Sequence, residues 1–184
     1  MKYFIADLHF YHKNVIRFSN RPFSDVEEMN GTLIQNWNRV VEPNDQVFIL
    51  GDLFYHANID QCNQTLKKLK GRKYLIRGNH ESYLKQQDFD LTAFEWVKDY
   101  YEFKEDGQKW CLFHYPILEW NGVHNDSYHL YGHIHNNTPE RFEQTLGPLA
   151  VNVGADMINF TPISIDEIDQ LITSRLIKTD SDGE

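Results

Sequence analysis

Residues 2–9 read KYFIADLH, an aromatic and aliphatic run that ends in Asp7 with His9 two positions further on. The run is short and rich in side chains that pack on a pleated surface, so it reads as a buried strand. Its end is the informative part, because the chain passes straight from apolar residues to a carboxylate and an imidazole. The same form recurs along the chain. QVFILGD (46–52) ends in Asp52, KYLIRGNH (73–80) in Asn79 and His80, and KWCLFHYP (109–116) carries His114. SYHLYGH (127–133) runs into LYGHIHNN (130–137), which carries His133 and His135, and LAVNVGAD (149–156) follows.

Helical patterns separate several of these runs. SDVEEMNGTLIQNWNRVV (24–41) has Ser24 and Glu27 in capping-box spacing, then Met29, Leu33, Trp37 and Val40 along one face. NIDQCNQTLKKLKG (58–71) starts at a cap, Asn58, and stops at Gly71, and DEIDQLITSRLI (166–177) starts a last helix at Asp166. DYYEFKEDGQKWCLF (99–113) reads as a hairpin turning at Asp106-Gly107. Strands alternating with helices predict layered α/β architecture, and the hairpin makes the sheet mixed. With no linker, repeat or low-complexity stretch, residues 1–184 read as a single domain whose tail, 178–184, is frayed.

Composition narrows the function. The net charge of −9 gives no long-range attraction for nucleic acid or an anionic membrane, so an anionic substrate must be drawn by a local positive centre. No apolar run is long enough to span a bilayer, and the apolar part of MKYFIADLHF is too short and too interrupted for a secretory leader. Two cysteines far apart, Cys62 and Cys111, imply no disulfide framework; buried reduced thiols and a cytoplasmic location are the expectation. Nine histidines are many for this length.

Each polar strand end has an ordinary explanation alone: a helix cap for Asp7, a turn for Gly51-Asp52 or Gly78-Asn79, a packed imidazole for His114. Recurrence at successive strand ends argues against coincidence, because ligand crevices of α/β sheets lie beyond the carboxyl ends of the strands. Asp7, His9, Asp52, Asn79, His114, His133 and His135 offer oxygen and nitrogen donors without thiolate. That set suits Mn, Fe, Zn, Co or Ni. Seven donors exceed one transition-metal ion but suit two if a carboxylate bridges, and Asp52 is the natural bridge. The Asp7-x-His9 and His133-x-His135 spacings would put two donors on one side of an extended chain.

In this order, D-x-H, G-D, G-N-H, a lone H and G-H-x-H resemble the calcineurin-like metallophosphoesterase superfamily, from Asp7 to His135. DLHFYHKNVIRFSNRPF, HYPILEW and NVGADMINFTPISIDEI further resemble its small bacterial and phage phosphoesterase branch. The resemblance implies a four-layer αββα sandwich with mixed sheets and two divalent transition-metal ions, with Mn the first choice for assay. One ion would be held by Asp7, His9, Asp52 and His135, the other by Asp52, Asn79, His114 and His133. It implies a phosphoesterase using a metal-bridging hydroxide with His80 as general acid, oriented by Glu81 or Asp52. Phosphodiesters of nucleotide or cyclic type are the expected substrates; a phosphomonoesterase is the alternative, and a catalytically silent metal-binding scaffold the alternative of another class. GDLFYHAN lacks the Asp-Arg-Gly of the protein-phosphatase branch, which argues against that activity.

His12, Arg21 and Tyr115 are the candidate substrate contacts, with Trp120 beside Tyr115 as a further pocket or stacking residue. His56, His124 and His129 read as structural or surface residues. The expected partner is a small phosphoester or nucleotide, not long duplex nucleic acid or membrane.

Overall fold

The computed structural model describes residues 1–181. In chain order its elements are β1 (Lys2–Ile5), α1 (Lys13–Phe18), α2 (Val26–Val40), β2 (Gln46–Ile49), α3 (Ile59–Lys68), β3 (Arg72–Ile76), β4 (Phe94–Lys98), β5 (Tyr100–Glu105), β6 (Gln108–Phe113), β7 (Tyr128–Tyr131), α4 (Pro139–Leu146), β8 (Ala150–Asn152), β9 (Ile163–Ser164) and α5 (Ile165–Ser181). They form two sheets, ordered β4-β3-β2-β1-β9 and β5-β6-β7-β8. Both are mixed: β9 runs antiparallel to β1, and β5 antiparallel to β6, while the other pairings are parallel.

Strand periodicity explains why the runs are apolar throughout. Ile5, Val47, Ile49 and Leu75 face α2 and α3, meeting Met29, Leu33, Trp37, Cys62 and Leu66. Their neighbours Phe4, Phe48, Leu50, Tyr74 and Ile76 face the second sheet, meeting Trp110, Leu112, Leu130 and Val151. A strand covered on both faces has no polar side to show. Aromatic rings fill the space between the sheets, with Phe4 and Trp110 stacked at 6.0 Å and Phe48 and Phe103 at 5.7 Å.

The four expected layers are present, but the fourth is thin. The outer face of the second sheet is covered by short α4, through Phe142 and Leu146, and by the segment carrying Ile117, Trp120 and Val123. Trp120 therefore belongs to the core: it is buried and its indole N–H donates to the Ser127 carbonyl, so it is no substrate contact.

The capping box expected at Ser24 and Glu27 is shifted by one residue. Asp25 caps α2 by accepting from the Glu28 N–H, and the Glu28 side chain reaches back to the Ser24 N–H. Asn58 and Gln61 form a full capping box on α3, and the β5–β6 turn at Asp106-Gly107 has both φ angles positive, as a tight hairpin requires. The expected frayed tail is helical through Ser181; residues 182–184 lie outside the described residues.

His129, in β7, is wholly buried. Its Nδ1–H donates to the Cys111 carbonyl at 3.2 Å, and Nε2 accepts from the Ile117 N–H at 3.3 Å. Burial pushes its pKa down to about 4. The unfolded chain takes the proton first, so this stability is complete above the ordinary histidine pKa and is lost as pH falls from about 6.5 to 4, by about 3 kcal/mol in all. Urea midpoints measured on chelated protein at pH 7 and pH 4.5 should fall more steeply for the wild type than for His129→Gln; parallel slopes would refute the assignment.

Candidate metal centre

The polar strand ends meet at one rim. Asp7, His9 and His135 place ligand atoms within 4.8 Å of one another, as do Asp52, His114 and His133. The Asp52 carboxylate lies between the groups: Oδ2 is 3.6 Å from Nε2 of His9 and 3.6 Å from Nε2 of His114. Oδ1 of Asn79 joins the second group, 3.1 Å from His114 Nε2 and 3.0 Å from His133 Nδ1. His133 and His135 thus diverge to different groups, although only Ile134 separates them.

The backbone achieves this by a device the spacing did not suggest. The chain is not extended here: Asp7, His9, Asp52, His133 and His135 all have positive φ, between 51° and 73°. Left-handed backbone at a non-glycine residue costs energy and persists only where surroundings impose it, which is common at functional sites. The glycines before the donors have their own reason. A Cβ at Gly132 would lie 2.5 Å from Asp7 Oδ2 and 2.5 Å from the Ala6 methyl, so the backbone passes too close to the site for any side chain.

The donors are held from behind. His114 Nδ1–H donates to the Leu50 carbonyl at 2.7 Å, and His135 Nδ1–H to Asp156 Oδ2 at 2.7 Å. Asp156 is itself clamped by Arg21, whose Nε and Nη2 donate to its two oxygens at 2.8 and 3.1 Å. Arg21 also donates to the carbonyls of Leu8 and Asp7, at 2.9 and 2.7 Å, and is buried. This corrects the expectation for Arg21: its guanidinium braces the ligand loops from inside and does not reach substrate. Glu81 acts similarly, accepting from the N–H groups of Leu53 and Gly78 at 3.1 and 2.6 Å. Those bonds tie the Asp52 and Asn79 loops together, and it is Asp52 that faces the His80 ring, Oδ2 to Nε2 at 3.8 Å.

The electrostatics fit a cation at each group. Burial, then the nearby Asp52 charge, opposes ionisation of Asp7, whose pKa is pushed up to about 7 despite His135 and the His133 N–H; its Oδ1 is buried without a partner. Burial, then His135, drives His9 far below the ordinary histidine range, and burial lowers His114 and His133. Burial also disfavours protonated His135, but the hydrogen bond to Asp156 together with the Asp7 and Asp156 charges outweighs it and raises that pKa. With its Nδ1 proton committed to Leu50, neutral His114 turns a lone pair toward Asp52 Oδ2 and Asn79 Oδ1. Acceptor facing acceptor in a buried site calls for a positive charge between them.

Of the other candidates, His12 lies at the rim, its ring 5.3 Å from His9 and stacked on Tyr55 at 3.7 Å. Burial first, then the His80 and Arg21 charges, lowers its pKa to about 4. Tyr115 packs against His133 at 4.6 Å and His114 at 4.8 Å. His124 is exposed and paired with Glu119. Sequence reasoning missed Asp156 and Tyr55, whose ring is also 4.8 Å from His80. The signal for Asp156 was available, since LAVNVGAD ends in a carboxylate just as the first strand does.

A two-sheet α/β sandwich with two such donor groups at one rim defines a metallophosphoesterase-type protein. The calcineurin-like phosphoesterase family matches residues 3–146, and the chain belongs to that family. The family is metal-dependent. The chain is 35% identical, over 98% of its length and 96% of the relative's, to the uncharacterized protein MJ1445 of Methanocaldococcus jannaschii. It is 38% identical to the Gene 66 protein of Mycobacterium phage L5 over 43% of this chain and 39% of that protein. A solved structure, the protein of unknown function AQ665 from Aquifex aeolicus, superposes with a TM-score of 0.73 at 26% identity, covering 93% of this chain and 98% of that one. No helix among the described residues is long and apolar enough to cross a membrane.

Proposed function

We propose that the chain is a two-metal phosphodiesterase in which Asp7, His9, Asp52 and His135 hold one divalent transition-metal ion and Asp52, Asn79, His114 and His133 the other. The observation that carries this reading is the position of Asp52 Oδ2, 3.6 Å from His9 Nε2 in one group and from His114 Nε2 in the other. When bound, the ions would supply Lewis acidity toward phosphoryl oxygens and a water acidic enough to lose a proton near neutral pH.

The chain's own residues do the rest. Only Asp7 and Asp52 among the seven donors carry charge, so the set does not neutralise two divalent cations. A phosphoester therefore meets a net positive centre on a chain of net charge −9. Arg21 and Asp156, bound to each other, fix the ring of His135 without adding net charge. His80 follows Asn79 directly, and its side chain is 35% exposed, within reach of bound substrate. In its protonated form that ring gives the leaving oxygen a proton.

Preference for diesters rests on two features. Asn79 and His133 are exposed, so the rim is open to a phosphate carrying two substituents. A positioned acid matters most when an alkoxide must be expelled. The substrate class proposed is a small nucleotide-type diester, met in the cytoplasm, where the buried thiols of Cys62 and Cys111 stay reduced. Comparing kcat/KM for matched monoester, linear diester and cyclic diester compounds with Mn²⁺ tests the preference: the linear or cyclic diester should lead, and a leading monoester would reverse it.

A further inference from the structure

Beside the metal centre, on the His80 side, lies a cavity of about 620 Å³ between the loop after Asp52 and the turn that starts at His80. Its wall includes Asn79 and His80 themselves, then Tyr55, His56, Ser82 and Gln86. Its size is that of a small-molecule site. Its composition is unusual for this chain. A quarter of the sequence is charged (24%), yet among the described residues none lining this cavity is Asp, Glu, Lys or Arg.

We infer that this cavity is the leaving-group subsite and that it selects an uncharged alcohol of nucleoside or sugar type over one bearing a further phosphate. The inference deepens the phosphoesterase reading and rests on it. In the reaction, water adds its oxygen to phosphorus and the P–O bond to the alcohol breaks. The departing oxygen takes a proton from His80 in its protonated, imidazolium form, leaving a neutral ring, and the proton lost by water returns to that ring or leaves to solvent. The departing group must therefore sit where His80 reaches it, and this cavity shares His80 as a wall. Hydroxyls find the Ser82, Gln86 and His56 side chains, and Tyr55 offers a ring against which a planar base can pack. A second phosphate on the departing group would find no Lys or Arg among the described lining residues to offset its desolvation.

The test uses the Mn²⁺-loaded full chain with three diesters: bis-(p-nitrophenyl) phosphate, adenylyl-adenosine, and adenylyl-adenosine phosphorylated on both outer hydroxyls. In the wild type, kcat/KM should favour the unphosphorylated dinucleotide by about tenfold or more. Ser82→Lys places a cation at the exposed cavity wall and replaces neither a donor nor His80. It should raise kcat/KM for the phosphorylated dinucleotide by about tenfold relative to that for the unphosphorylated one. Hydrolysis of the nitrophenyl diester with equal or reversed preference between the dinucleotides, with no turnover of either, or with no response to Ser82→Lys would overturn the subsite. No Mn²⁺-dependent hydrolysis of any of the three would overturn the phosphoesterase reading, and the subsite with it.

Discussion

Replacing His80 by alanine is expected to lower turnover by about 10²–10⁴-fold while both metal ions stay bound. The geometry separates the two effects. The His80 side chain is 35% exposed and its Nε2 is 3.8 Å from Asp52 Oδ2, whereas the metal-holding atoms come from neighbouring residues. The backbone bond that steadies the Asp52 carboxylate, from the His80 N–H to Oδ1 at 3.0 Å, survives the substitution. The loss should also depend on the leaving group. A nitrophenolate departs without help, so a nitrophenyl ester should lose less than an alkyl ester. Steady-state rates on both esters, with metal content measured on the same preparation, decide the matter. An equal loss on the two esters, or an emptied site, would remove His80 from the acid role.

The second large effect is expected at Asp52. Asp52→Asn keeps the shape and the acceptor for the His80 N–H but removes a carboxylate that faces both donor groups. Metal content should fall from two ions to one or fewer, and turnover by on the order of 10³-fold, the several kcal/mol that metal-supplied charge stabilisation is worth. The contrast with His80→Ala is the useful part: one variant is slow and full, the other slow and depleted. Two ions retained at full affinity in Asp52→Asn would show that the carboxylate does not bridge.

Much of this architecture can be read from the chain because burial on both faces leaves strands with no polar residues until they end. KYFIADLH, QVFILGD and KYLIRGNH therefore announce both the strand and the donor beyond it. β4 is harder to see, because FEWVK sits at a sheet edge and keeps charged residues among its apolar ones. β9 is two residues long and exists only by pairing with β1. α4 starts from a left-handed Thr138 that makes no side-chain cap, so no starting signal beyond Pro139 is written in its residues.

The site divides in the same way. Donor identity is local and legible; donor orientation is not. Nothing in Asp-x-His states that both residues adopt positive φ, or that the Gly132 backbone passes so close that a Cβ there would lie 2.5 Å from Asp7 Oδ2. Arg21 shows the other limit. An arginine before a proline reads either as a phosphate contact or as an ordinary surface residue, yet its donors are spent on Asp156 and two loop carbonyls, at positions distant in sequence or hidden in the backbone.

A pair of cation sites sharing Asp52 can be counted by metal titration. Chelator-stripped protein would be titrated with Mn²⁺ while bound metal and hydrolysis of bis-(p-nitrophenyl) phosphate are followed together. Binding should saturate at two ions per chain, with activity rising as they bind and vanishing on chelation. Saturation at one ion, or hydrolysis indifferent to chelator, would contradict the shared pair.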